Sequence, residues 1–216
     1  MVAGVDNALA QLTAAGFDLA HAFDARAAAR EPGWERLAGG AAVGILVGNT
    51  RALWPRFVEA RRAPALERDA HPLERYTERT VEAAFPGAAI YYAHRAYDGA
   101  FLPFQRLAVT TGLGALSPSQ LVIHPTYGPW FALRAVVVVA GTPPEQRPIA
   151  SPCRCTGACL AAFEAARDAR TWRPWLAVRD ACSLRTFRYS DDQIRYHYER
   201  GLMASGGVTE SAPGER

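Results

Sequence analysis

Four cysteines, Cys153, Cys155, Cys159 and Cys182, fall in the C-terminal third of a chain of 216 residues. Four thiolates can saturate an iron–sulfur cluster, so CRCTGAC with Cys182 downstream admits one. A zinc site or free redox thiols fit the same residues. A disulfide scaffold is the poorer reading, because nothing else in the sequence suggests secretion. Arg134 is a second chemical signal: a guanidinium inside the apolar run FALRAVVVV needs an anion or a dense hydrogen-bond set to justify burial. For Arg134, and for Arg179 in VRDA, the simpler alternative is a structural salt bridge with Asp180 or Asp98. Just upstream stand Tyr127, Gly128, Trp130 and Phe131. Large apolar faces with a small residue between them suit a flat macrocycle, and an ordinary aromatic core explains them equally. Gly112 and Gly114, in GLGALSPS, end a helix and permit close backbone approach to a bulky ligand. His124 precedes a proline and has no metal-ligand partner nearby, so it reads as a structural histidine.

The elements that must position these residues follow from periodicity. Val5 to about Ala29 repeats Leu, Phe and Ala at helical spacing and predicts one or two helices, stopped at Pro32-Gly33. Ala41 to Val47, bounded by glycines, predicts a buried strand, and Thr50 caps a helix carrying Leu53, Trp54 and Phe57. His71-Pro72 opens another helix, closed by Pro86-Gly87, before a strand from Ala88 to Ala93. Phe104 to Leu113 is helical. Strands follow at Gln120 to His124 and Phe131 to Val139, joined by the turn Pro125-Thr126-Tyr127-Gly128. The second is β-branched almost throughout and is expected to be central. A helix around Leu160 to Ala169 and an aromatic, Arg-rich tail complete the order.

Half of the residues are hydrophobic, enough for one substantial core and short of two typical domains, so a single domain over 1–203 is expected, with a disordered tail at 204–216. The formal net charge of +3 comes from arginines interspersed with acids, which argues against nucleic-acid binding and leaves a small anion open. No stretch approaches the ~20 apolar residues of a membrane span, and the first residues lack a secretory pattern, so the default compartment is the cytoplasm.

At HPTYGPWFALRAVVVV the chain resembles the CblC cobalamin-processing family, whose members carry a similar stretch joining two strands. TWRPWLAVRDACSLRTFRYSDDQIRYHYERG resembles the family's C-terminal segment, while NTRALWPRF and HPLERYTERTVEAAFP are looser matches. The segment YDGAFLPFQRLAVTTGLGAL, followed by a strand and HPTYGPWFAL, is also similar to the corrinoid-binding part of epoxyqueuosine reductase. Both resemblances imply an α+β, nitroreductase-like fold, a mixed sheet flanked by helices, that holds cobalamin. They imply Gly112, Gly114, Tyr127, Gly128, Trp130 and Phe131 at the corrin. Arg134 and Arg179 then contact glutathione, or the phosphate of a flavin such as FMN.

The implied activity is reductive decyanation or thiol-dependent dealkylation of the upper axial ligand, in a monomer or a homodimer. The alternatives are an iron–sulfur-fed cobalamin-dependent reductase and a cobalamin chaperone without turnover. Asp98 matches the aspartate that serves epoxyqueuosine reductase as a proton donor, a role that burial beside an apolar pocket would favour. Taken alone, Asp98-Gly99 reads as a turn. The reductase carries CxxCxxCxxxCP where this chain has CxCxxxC, with Phe163 in place of the next cysteine. Leu113 stands where vertebrate CblC members have a histidine.

Overall fold

A computed structural model describes residues 3–34, 43–145, 149–153 and 157–204. The chain runs through α1 (Ala3–Ala14), β1 (Leu19–Asp24), α2 (Ala25–Ala28), β2 (Val43–Asn49), α3 (Leu53–Ala60), α4 (Pro64–Glu67) and α5 (Pro72–Ala84). It continues with β3 (Ala89–Tyr92), the hairpin β4 (Ala96–Tyr97) and β5 (Ala100–Phe101), α6 (Phe104–Thr110), the small pair β6 (Ala115–Leu116) and β7 (Val122–Ile123), and β8 (Ala132–Val139). Three helices close the described chain: α7 (Ala158–Ala166), α8 (Trp172–Asp180) and α9 (Asp191–Ala204).

The main sheet has the order β1-β2-β8-β3, and β8 is central as its β-branched run predicts. Every neighbouring pair is antiparallel, which corrects the expected mixed sheet. The strand–helix–strand alternation of the sequence is real, and β2 and β3 do run the same way. They are not neighbours, because β8 inserts between them and pairs with both.

Helices cover both faces, so β2 is buried at every position instead of alternating. Ile45, Val47, Ala135 and Val137 face one core with Leu12, Phe17, Phe57, Val81 and Phe85. Leu19, Phe23, Leu46, Val136 and Val138 face a second, with Trp34, Leu107 and Leu113. Each such side chain, fully buried, stabilises the fold by about 1.5–3 kcal/mol before chain entropy is counted. A third cluster of Trp130, Tyr189 and Ile194, lined by Trp172, Leu176, Phe187 and Tyr198, joins the tail to the sheet.

The N-terminal expectation is corrected too. The helix stops at Ala14, and Gly16 turns the chain at φ 92, where a Cβ would lie 2.6 Å from Leu53 Cα. The next residues form β1, whose Leu19 and Phe23 point into the second core. Ala52, two residues after the expected Thr50, is the N-cap of α3; the Thr50 hydroxyl accepts the Ala52 amide at 3.3 Å, and the Thr50 amide and hydroxyl donate to Asp18.

Candidate functional site

Between β2 and β8 the register slips: Val47 pairs with Ala135, and Gly48 pairs with Leu133. Arg134 is therefore the extra residue of a bulge, a device that re-aims a side chain. Its Nε donates to Asn49 Oδ1 at 2.7 Å, and Asn49, fully buried, donates from Nδ2 to Thr50 O at 2.9 Å. The Nη2 of Arg134 is shielded from solvent and has no partner. Desolvation lowers this arginine's pKa, opposed by Tyr189, Glu74 and Tyr196.

Among the described residues, neither Arg134 nor Arg179 makes an ion pair. The expected structural partner Asp180 is taken by Arg188, which donates to it at 2.7 Å and to Asp191 at 2.8 Å. Those two carboxylates raise the Arg188 pKa. Arg179 and Arg188 lie over the Trp130 ring, at 5.9 and 5.6 Å from its centroid. Tyr189 meets the same ring edge-on at 5.6 Å, its hydroxyl 3.5 Å from Asn49 O, and burial pushes its pKa up to about 12.

Helix α9 closes the group. Ser190 starts it, accepting from Gln193 N at its hydroxyl and from Ile194 N at its carbonyl. Gln193 and His197, four residues apart, share one helix face. Gln193 is wholly buried with neither amide atom paired, and His197 Nε2 is shielded and unpaired. Desolvation first, then Arg134 and Arg179, holds the His197 pKa down at about 3. Trp130 Nε1 is also buried without a partner. Buried polar groups are normally paired, so this concentration of orphans around two cations suits an anionic ligand. Asn49, Arg188, Gln193 and His197 were not visible as site residues in the sequence; two polar residues at i, i+4 on the apolar side of the last helix were the available signal.

The other predicted residues divide. Tyr127 and Phe131 join the second core, near His124, whereas Trp130 belongs to the arginine cluster. His124 stacks on Tyr127 at 4.5 Å and accepts the Thr126 and Tyr127 amides at Nδ1, the structural role expected. Burial and the nearby His21 hold its pKa at about 4. His21 in turn contacts Thr111 O through Nε2 at 2.8 Å, tying β1 to the end of α6.

Each glycine has an internal reason for its identity. Gly112, at φ 78, ends α6, with Leu113 N returning to Ala108 O at 2.9 Å. A Cβ at Gly114 would lie 2.6 Å from Val122 Cγ1, and one at Gly128 would collide with Leu184 O. Asp98 sits exposed at the tip of the β4–β5 hairpin at φ 50, beside Gly99 at φ 81. That is the turn geometry, and the apolar enclosure that would favour a proton donor is not built there.

Cys159 and Cys182 are buried and Cys153 is part-buried; Cys155 lies outside the described residues. Among the described residues, no group of three or more His, Cys, Asp or Glu side chains converges to hold a metal. The expected four-cysteine ligand set is therefore not assembled by the three described members. Cavities of about 590, 520 and 650 Å³ lie elsewhere and take no predicted site residue into their walls. No described helix is long and apolar enough to cross a membrane.

Neither a family model nor a curated protein matches the chain. Among solved structures it is similar to a C. elegans B12-trafficking protein, CblC, a homologue of human MMACHC. That similarity has a TM-score of 0.67 and 14% identity, and covers 96% of this chain and 97% of that one. A likeness of this kind establishes a shared fold: an α+β arrangement of an antiparallel sheet between helices. Epoxyqueuosine reductase also matches, at a TM-score of 0.44 and 14% identity over 72% of this chain and 50% of that one.

Proposed function

We propose that this chain binds a cobalamin and removes its upper axial ligand, with Arg134 and Arg179 holding the anionic end of a small thiol such as glutathione. The observation that carries the reading is Arg134, whose guanidinium is buried with one nitrogen unpaired, beside Arg179, which makes no ion pair among the described residues. The shared fold with a B12-trafficking protein supports the choice of substrate. In dealkylation the thiol loses its proton to solvent and its sulfur attacks the alkyl carbon. A carbon–sulfur bond forms while the cobalt–carbon bond breaks, leaving its electron pair on cobalt.

The protein's part is positional. Two guanidinium groups fix the carboxylates, and a site walled by Trp130 and Tyr189 keeps water out, which strengthens each charge–charge contact. Decyanation would draw electrons from a reduced flavin, and the same unpaired arginines fit a flavin phosphate. Tyr127, Phe131 and the Gly112–Gly114 loop are assigned to the corrin, with Tyr127 and Phe131 in the second core and Trp130 in the arginine cluster. Asp98 enters as a proton donor only if the bound corrin covers its hairpin.

The test is an anaerobic ultraviolet–visible titration with cyanocobalamin. A blue shift to the base-off form is expected, followed under reducing conditions by cyanide loss faster than in free solution. An unchanged spectrum would remove cobalamin from the function. A shift without accelerated cyanide or alkyl loss would leave a binding protein without turnover.

A further inference from the structure

We infer that Gln193 and His197 are specificity-determining residues of the arginine site, selecting a ligand that carries a peptide N–H beside its carboxylate over a bare inorganic anion. The inference rests on the thiol reading above and deepens it.

The hydrogen-bonding capacity left open is specific. Arg134 Nη2 and Trp130 Nε1 can only donate. Gln193 adds an amide nitrogen with two N–H donors and an acceptor oxygen, both atoms buried and unpaired. Sulfate, fully ionised at neutral pH, only accepts, so it would satisfy the donors and strand Gln193 Oε1. A primary amide can accept from a peptide N–H at its oxygen while its nitrogen donates to the carboxylate oxygen beside that N–H. Ligands that combine a carboxylate with a neighbouring peptide bond therefore fill the set.

The local sequence makes the burial of Gln193 pointed. Ser190-Asp191-Asp192-Gln193 is a capping-box spacing, in which the glutamine side chain ordinarily turns back to the Ser190 amide. Here Ser190 receives the Gln193 amide, while the Gln193 side chain points inward and stays unpaired. His197 extends that face by one turn. Flanked by Arg134 and Arg179 and largely desolvated, it remains a neutral imidazole, so it adds one directional bond and no third positive charge. The other groups facing it are Tyr189, at 5.7 Å between ring centroids, and Tyr196, at 6.0 Å.

The experiment is a calorimetric titration of the full chain with glutathione, 2-mercaptoethanol and sulfate, with a thermal melt of each variant. Gln193→Met and His197→Phe are expected to weaken glutathione at least tenfold and leave sulfate within twofold. Both should raise Tm, by roughly 2–4 °C, because buried groups without partners are removed. Gln193→Glu is expected to abolish binding of both anions, by placing a carboxylate against the arginines. Glutathione binding that survives Gln193→Glu, or that falls in the other variants only together with Tm, would overturn the assignment. A parent protein that binds neither anion would overturn it along with the thiol half of the proposed function. The cobalamin titration decides the remainder independently.

Discussion

Arg134 Nε and Asn49 Oδ1 meet at 2.7 Å across the β2–β8 bulge, and this single bond holds a guanidinium whose far nitrogen has no partner. Arg134→Met is expected to keep the fold, since it removes a buried charge and leaves only the Asn49 oxygen unpaired. Thiol affinity should fall 10- to 100-fold, the equivalent of a charge-assisted hydrogen bond worth about 1.5–3 kcal/mol. Glutathione titration of the variant measures it, and an affinity equal to the parent's would place the ligand elsewhere.

Arg188 engages Asp180 at 2.7 Å, and Asp180 makes no ion pair with Arg179 among the described residues. Because its ion pairs are partly exposed, Arg188→Ala should change stability by less than about 1 kcal/mol. It should weaken anion binding more than that, because Asp180 becomes available to neutralise Arg179. A urea midpoint and a glutathione titration, read together, separate the two effects.

Gly128→Ala tests the join between the turn and the tail. The backbone there has φ 59, and a Cβ would collide with Leu184 O. The expected loss is about 2 kcal/mol or more. A melt indistinguishable from the parent's would contradict the close approach.

Acid should destabilise the protein through its buried histidines. His124 and His197 have folded pKa values of about 4 and about 3, both below the ordinary 6.5, so the unfolded chain binds their protons more readily. Their contribution to stability is complete above about pH 6.5, falls as pH drops through the window down to 4 and 3, and levels off below. Urea midpoints at pH 7.5, 6 and 4.5 should decline in that order. His124→Asn, whose side-chain oxygen can replace the Nδ1 acceptor, should flatten the upper part of the decline.

The fold was legible where apolar runs are long. β2, β8, α5 and α6 follow from patterns that admit one reading, and Arg134 stands out because a charge interrupts such a run. β1 was hidden because alanine, a strong helix former, occupies the positions opposite Leu19, His21 and Phe23. Strand direction was hidden because the insertion of β8 between β2 and β3 is a long-range event. Arg134 and Arg179 do converge around His197, by the electrostatics of that imidazole. The exchange of Asp180 from its sequence neighbour Arg179 to Arg188, and the inward turn of Gln193, depend on how α9 docks, and no local pattern encodes that.

The collision that a side chain at Gly128 would meet implies an order of assembly. The sheet is complete once β8 has formed, with Arg134 already bonded to Asn49. Arg179, Gln193 and His197 arrive only when the later chain settles its Leu184 backbone onto the turn. A chain emerging from the ribosome therefore finishes its scaffold before the buried polar groups of its last helix reach Arg134. Truncation ahead of α8 would leave Arg134 bonded to Asn49, its Nη2 waiting for the wall that would enclose it.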